Sequence, residues 1–125
     1  MGRVLQIEMK SSLFDPHSSD RRVLVRRASE GREGRPLYRV FLYLEGRDLP
    51  FVENVTYFLH PTFPDHVRIV PRTPGNPVCK LEIWTWGFFD IKATVVDKTG
   101  ARQLLSHYLE YKEEISEGVV SFVTA

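Results

Sequence analysis

Apolar residues recur at every second position in short runs along this chain, and the runs are separated by Gly, Pro and Asp. Period-two patterning of this kind predicts strands. Val4 to Met9 reads as a first strand and Val23 to Val25 as a short second one. Leu37 to Leu44 (LYRVFLYL) is rich in aromatic and branched residues and closes at Glu45-Gly46. Asn54 to His60 (NVTYFLH) stops at Pro61, and Val67 to Val70 stops at Pro71. In Val78 to Trp84 (VCKLEIW), Val78, Lys80, Glu82 and Trp84 share one face. In Phe89 to Val96, the apolar Phe89, Ile91, Ala93 and Val95 alternate with Asp90, Lys92 and Thr94. Lys98-Thr99-Gly100 suits a hairpin loop leading into the next strand. Arg102 to Tyr111 reads two ways: Leu104, Leu105, Tyr108 and Leu109 have helical spacing, whereas Leu105, His107, Leu109 and Tyr111 fit one face of a strand. The hairpin signal favours the strand. Val119 to Val123 ends the series, and seven to nine short strands predict an all-β antiparallel sandwich.

Length and composition narrow this picture. The chain has 125 residues, which predicts a single domain over 1–125 with one core. Lys plus Arg number 17 against 16 Asp plus Glu, a formal net charge of +1, which disfavours bulk binding to nucleic acid or to an anionic membrane. The one cysteine, Cys79, excludes an internal disulfide and reads as a buried packing thiol within its strand. No apolar run reaches the roughly 20 residues that span a bilayer. The start, MGRVLQIEMK, is too charged for a signal peptide, so the expected compartment is the cytoplasm.

Catalytic chemistry finds little support. Nucleophile elbow, phosphate-cradling glycine loop and HExxH motif are all absent. His60 and His66 are separated by Pro61 and Pro64 and lack an acidic ligand set, so neither metal nor cofactor is implied and an enzyme is not expected. Arg21, Arg22, Arg26, Arg27, Arg32 and Arg35 cluster without a stacking aromatic before Tyr38, and Asp20, Glu30 and Glu33 dilute them. Arg26 to Arg35 is therefore expected to be an exposed, mobile loop rather than a nucleic-acid surface. Two segments after strands carry the informative residues: His60-Pro61-Thr62-Phe63-Pro64 and Trp84-Thr85-Trp86-Gly87-Phe88-Phe89. Loops gather at the ends of a sandwich, so two such segments can form one site. Phe63 and Trp86 either line that site or plug the sandwich end.

Val55 to Val70 (VTYFLHPTFPDHVRIV) and Leu81 to Val95 (LEIWTWGFFDIKATV) together resemble the YEATS domain family, above all its prokaryotic branch. The resemblance runs from about Leu37 to Tyr111. It implies an immunoglobulin-like sandwich of about eight strands and a reader of acylated lysine, such as acetyl- or crotonyl-lysine, on a protein or peptide. By the same resemblance His60 supports the loop and ligand, Thr62 takes the place of the family's hydroxyl residue, and Phe63 is the first aromatic wall. Thr85, Trp86, Gly87 and Phe89 correspond to the second loop, with Trp86 as the second wall. Thr85 stands where the family usually has Gly, and Trp84 and Phe88 add bulk.

A neutral acyl-lysine suits such a slot. Facing rings hold the flat amide, each contact adding about 0.5–1.5 kcal/mol beyond area burial. A hydroxyl and a backbone N–H satisfy its donor and acceptor. An unmodified ammonium would enter without a partner, which is strongly unfavourable. Two competing readings use the same residues. One is a non-enzymatic interaction sandwich that binds an unmodified peptide or a partner domain. The other is a methyl-lysine cage, for which only Asp65 and Asp90 are near in sequence. Oligomeric state is not encoded in these features.

Overall fold

The computed structural model describes residues 4–27 and 36–123. Besides a 3-10 turn at Leu49–Phe51, the described residues form nine strands and one short α-helix in the order β1 (Glu8–Ser12), β2 (Arg22–Arg27), β3 (Pro36–Glu45), β4 (Val52–Phe58), β5 (Val67–Pro71), β6 (Leu81–Thr85), β7 (Phe89–Asp97), β8 (Arg102–Leu109), α1 (Lys112–Glu117) and β9 (Val119–Val123). One sheet runs β1-β3-β2-β9 with β6 paired to β3, and the other runs β5-β4-β7-β8. The fold is an immunoglobulin-like β-sandwich. All pairings between these strands are antiparallel except β2 with β9, which is parallel.

Alternation decides which way each strand faces. In β3, Val40, Leu42 and Leu44 are buried in the common core, and in β7 the expected set Ile91, Ala93 and Val95 is buried with Phe89 packed beside it. Tyr57 of β4 is fully buried, and its hydroxyl donates to the carbonyl of Cys79 at 2.8 Å. That bond ties the second sheet to the turn that feeds β6 in the first. Burial pushes the Tyr57 phenol far above its usual range and the Cys79 thiol up to about 11. Among the described residues no helix is long and apolar enough to cross a membrane.

The structure corrects several expectations. The first strand is Glu8–Ser12, not Val4 to Met9. Residues before it are held by side chains: Leu5 exchanges two hydrogen bonds with the Gln103 amide, and the Gln6 N–H donates to Asp48. Gly46, at φ +145°, lets this segment pass close, since a Cβ there would lie 2.1 Å from the Gln6 carbonyl oxygen. Cys79 is buried as expected but lies before β6, in a turn at φ +52°. The face of β6 that packs inward is Leu81, Ile83 and Thr85, so Trp84 lies on the outer surface. The strand reading of Arg102 to Tyr111 holds as far as Leu109. The chain then turns into α1, which is anchored where Ser12 and the Leu13 N–H donate to the Glu114 carboxylate. Of the expected loop, Arg26 and Arg27 belong to β2, and residues 28–35 lie outside the described residues.

The Tyr57 hydroxyl is the one side-chain donor to the buried Cys79 carbonyl among these contacts. Tyr57→Phe should therefore lower unfolding free energy by about 1–3 kcal/mol. A urea titration reads this as a lower midpoint with an unchanged slope. An unchanged midpoint would show that the strut is dispensable.

Candidate functional site

Two connections meet at one end of the sandwich. β4 pairs with β7 so that Phe58 lies opposite Lys92, which brings the exit of β4 beside the entrance of β7. The β4–β5 loop leaves from Phe58 and returns at Val67. Residues 86–88 carry the chain from β6 in one sheet to β7 in the other, at that same end.

The β4–β5 loop is closed at its base, where the Leu59 N–H donates to the His66 carbonyl at 2.7 Å. The Phe63 N–H donates to the His60 carbonyl at 2.9 Å, which makes His60 to Phe63 a β-turn with Pro61 at its second position. Proline presets that turn. Arg68 braces the far side by donating to the Pro64 and Asp65 carbonyls, and Asp65 adopts a left-handed φ of +50°.

Inside the turn, the Thr62 N–H donates to His60 Nδ1 at 3.3 Å. In the neutral ring this requires a lone pair on Nδ1, so the proton sits on Nε2. The Thr62 hydroxyl is 2.9 Å from the same nitrogen and must also donate to it. The Thr62 oxygen is thereby left as an acceptor. Thr62 is exposed, so this acceptor is at the surface.

Phe89, the first residue of β7, joins the two connections. Its ring meets Phe63 at 5.7 Å between centroids and His60 edge-on at 6.1 Å. Trp86 is half exposed, while Thr85 is buried as the last inward position of β6. The Thr85 hydroxyl turns back and accepts the Gly87 N–H at 3.4 Å. A Cβ at Gly87 would meet nothing within 4 Å, so space is open there. The structure thus brings His60, Thr62, Phe63 and Phe89 into one cluster, with Thr85, Trp86 and Gly87 on the adjoining link.

A second aromatic group lies under that link. Phe88 packs edge-on against Tyr111 at 4.9 Å, and Tyr111 meets Tyr38 at a tilt, 5.2 Å between centroids. Sequence reading noted the bulk of Phe88 but assigned no role to Tyr38 or Tyr111. The signal was present: Tyr111 continues the inward period of Leu105, His107 and Leu109 one step past the strand. Among the described residues no group of His, Cys, Asp and Glu is arranged to hold a metal ion.

The His60 ring acts here as asparagine does in an Asx turn, offering an acceptor to the amide two residues on. His60→Asn should keep the turn. His60→Leu should lose it, speeding exchange of the Thr62 amide roughly 2- to 10-fold for one lost hydrogen bond. Hydrogen exchange by NMR separates the two, and equal rates in both variants would remove the ring from this role.

Comparison with known proteins agrees with this architecture. The chain is 35% identical over 72 residues to transcription initiation factor TFIID subunit 14 of Schizosaccharomyces pombe, a match covering 56% of this chain and 28% of that protein's length. The described fold is similar to the Yaf9 YEATS domain, with a TM-score of 0.54 and 17% identity over 92% of this chain and 83% of that one. It is also similar to a Yaf9 YEATS domain recognising an H3K122suc peptide (TM-score 0.53, 18% identity, 91% of this chain and 82% of that one). A third similar structure is a Yaf9 YEATS domain bound to H3K27ac (TM-score 0.52, 18% identity, 87% and 78%). The model of the prokaryotic YEATS domain matches residues 38–110, more than half of the chain and all of both connections, and the chain belongs to that family.

Proposed function

We propose that this chain is a non-enzymatic binding module that recognises an acylated lysine on a protein or peptide, at the end of the sandwich where the two connections meet. One observation carries the reading: Phe89 gathers Phe63 and His60 into a ring cluster beside a half-exposed Trp86, with the Thr62 oxygen presented as an acceptor. The acylated similar structures support it, since the Yaf9 domains recognise succinylated and acetylated histone H3.

The chemistry follows from the polarity of the pieces. The acyl-lysine amide offers one N–H and one carbonyl. Thr62, whose own proton is committed to His60, accepts the amide N–H. A backbone N–H of the 86–88 link donates to the carbonyl. Phe63 and Trp86 flank the planar acyl group, and the open space over Gly87 gives it room. Thr85 shapes the link from beneath rather than touching ligand, because it is buried. A lysine ammonium brings three donors and no acceptor, so Thr62 could take only one of them and the charge would enter an aromatic slot without a carboxylate. Discrimination between acylated and free lysine is thus a matter of charge as well as size. The module spans residues 1–125, and its compartment under this reading is the cytoplasm.

Titration of acetylated, crotonylated and unmodified lysine peptides against the wild-type protein and Trp86→Ala tests this directly. Wild type should prefer the acylated peptides, and Trp86→Ala should lose about 2–4 kcal/mol of that affinity while remaining folded. Thr62→Val should weaken binding by about 1–3 kcal/mol by leaving the amide N–H unpaired. Equal binding of acylated and unmodified peptides by wild type would transfer the site to an unmodified peptide or a partner domain.

A further inference from the structure

The outer face of the β1-β3-β2-β9 sheet carries two arginines seated on aromatic rings. Arg26 of β2 lies over the Trp84 ring, 4.4 Å from its centroid, and Arg39 of β3 lies over Phe41 at 4.8 Å. Trp84 is the cross-strand neighbour of Arg39, and Leu37, opposite Arg26, is two residues from Arg39. The two guanidiniums therefore belong to one patch. Phe41 belongs to the outward alternation of β3, yet it is only 3% exposed. Arg39 and the Lys80 ammonium, 5.5 Å from the ring, both cover it.

The cations around the patch are already neutralised. Arg22 pairs with Asp20 at 2.8 Å, and Lys80 pairs with Asp15 at 2.9 Å. Among the described residues neither Arg26 nor Arg39 has a carboxylate in ion-pair contact, and Asp20, already paired with Arg22, feels the Arg39 charge only from farther away. Arg39 Nε is buried and has no hydrogen-bond acceptor there. A guanidinium seated on a ring by its face keeps its edge N–H groups, and that edge matches an oxyanion in a two-pronged contact.

We propose that Arg26 and Arg39 bind the carboxylate of an acidic residue that flanks the acylated lysine in the partner peptide. This rests on the acyl-lysine reading of the adjoining site. Proximity favours it: Trp84, which bears Arg26, is two residues from Trp86, at most about 7 Å of extended chain. Charge favours a single carboxylate over a nucleic-acid strand. Asp20, Asp15 and the exposed Glu82, which faces Phe41 across the strands, are interspersed through the patch and would repel a run of phosphates. The patch therefore adds a sequence preference to a site that otherwise reads only the modification.

The test is a set of acetyl-lysine peptides in which one glutamate is moved from three residues before to three residues after the modified lysine, each against its glutamine twin. One register of glutamate should bind roughly 3- to 10-fold tighter than its twin, with the gain shrinking as salt rises. Arg26→Gln and Arg39→Gln should each erase that gain while preserving the preference for acetylated over free lysine. Should Arg39→Gln fail to fold, Arg39→Lys serves in its place, since it keeps the charge and loses the fork. Equal binding at every register, or a gain that survives both glutamine variants, overturns the proposal. If no acetylated peptide binds, the acyl-lysine reading has failed, and the same glutamate peptides without the acetyl group test the patch alone. Binding lost in the glutamine variants then upholds the carboxylate site, and no binding overturns it. Tighter binding of a single-stranded oligonucleotide than of any glutamate peptide, lost in the same variants, replaces the peptide with nucleic acid.

Discussion

The register of β4 on β7 is the constraint on which the rest depends. Phe58 opposite Lys92 fixes where β4 ends relative to where β7 begins, and a slip of one residue would turn the inward set Ile91, Ala93 and Val95 to solvent. Because β6 belongs to the other sheet, residues 86–88 must cross the sandwich at that end and no other. The core thus dictates that a loop with His60, Thr62 and Phe63 and a link with Trp86 and Gly87 share one small surface. Phe89 belongs to both worlds: it is the first residue of a core strand and the ring on which Phe63 and His60 rest.

Rigidity at this surface has several sources. The Leu59–His66 bond closes the loop base, Pro61 presets the turn, and Arg68 braces two carbonyls on the far side. His60 binds Thr62 through both backbone and hydroxyl, so the threonine oxygen is set as an acceptor before any ligand arrives. Prearranged groups lose little freedom on binding, which is how a small contact area yields useful affinity. At the crossing link, Phe88 rests edge-on against the buried Tyr111, which contacts Tyr38, so the aromatic content of this region divides between packing and an exposed face. Phe88 and Trp86 are both substantially exposed, at 42% and 50%, whereas Tyr111, against which Phe88 rests, is buried.

Much of this was legible in the sequence. The period-two run from Phe89 to Val96 marks the core face of β7, the aromatic and branched runs mark β3 and β4 as strands, and prolines mark where β4 and β5 end. The loop residues were identifiable because Phe63 and Trp86 sit beside Pro and Gly rather than at strand spacing. What escaped reading was set by long-range contacts. Residues 4–7 alternate like a strand, but Gln103 and Asp48 side chains take their backbone groups instead of a ladder. Cys79 continues the alternation of β6, yet the Tyr57 hydroxyl and a left-handed φ place it in a turn. The arginine cluster lacks aromatics in its own stretch because its rings come from elsewhere in the chain: Phe14 lies under Arg21 and Trp84 under Arg26. No local pattern announces such pairings.

The most direct measurement is an NMR titration of the labelled protein with an ε-acetyl-lysine peptide, following the Trp86 indole N–H and the backbone amides of residues 60–63 and 86–89. Shifts concentrated on these two segments, absent with the unmodified peptide, are the expected result. Shifts of equal size with both peptides, or shifts confined to strands away from this end of the sandwich, would contradict the assignment of the site to the meeting of the two connections.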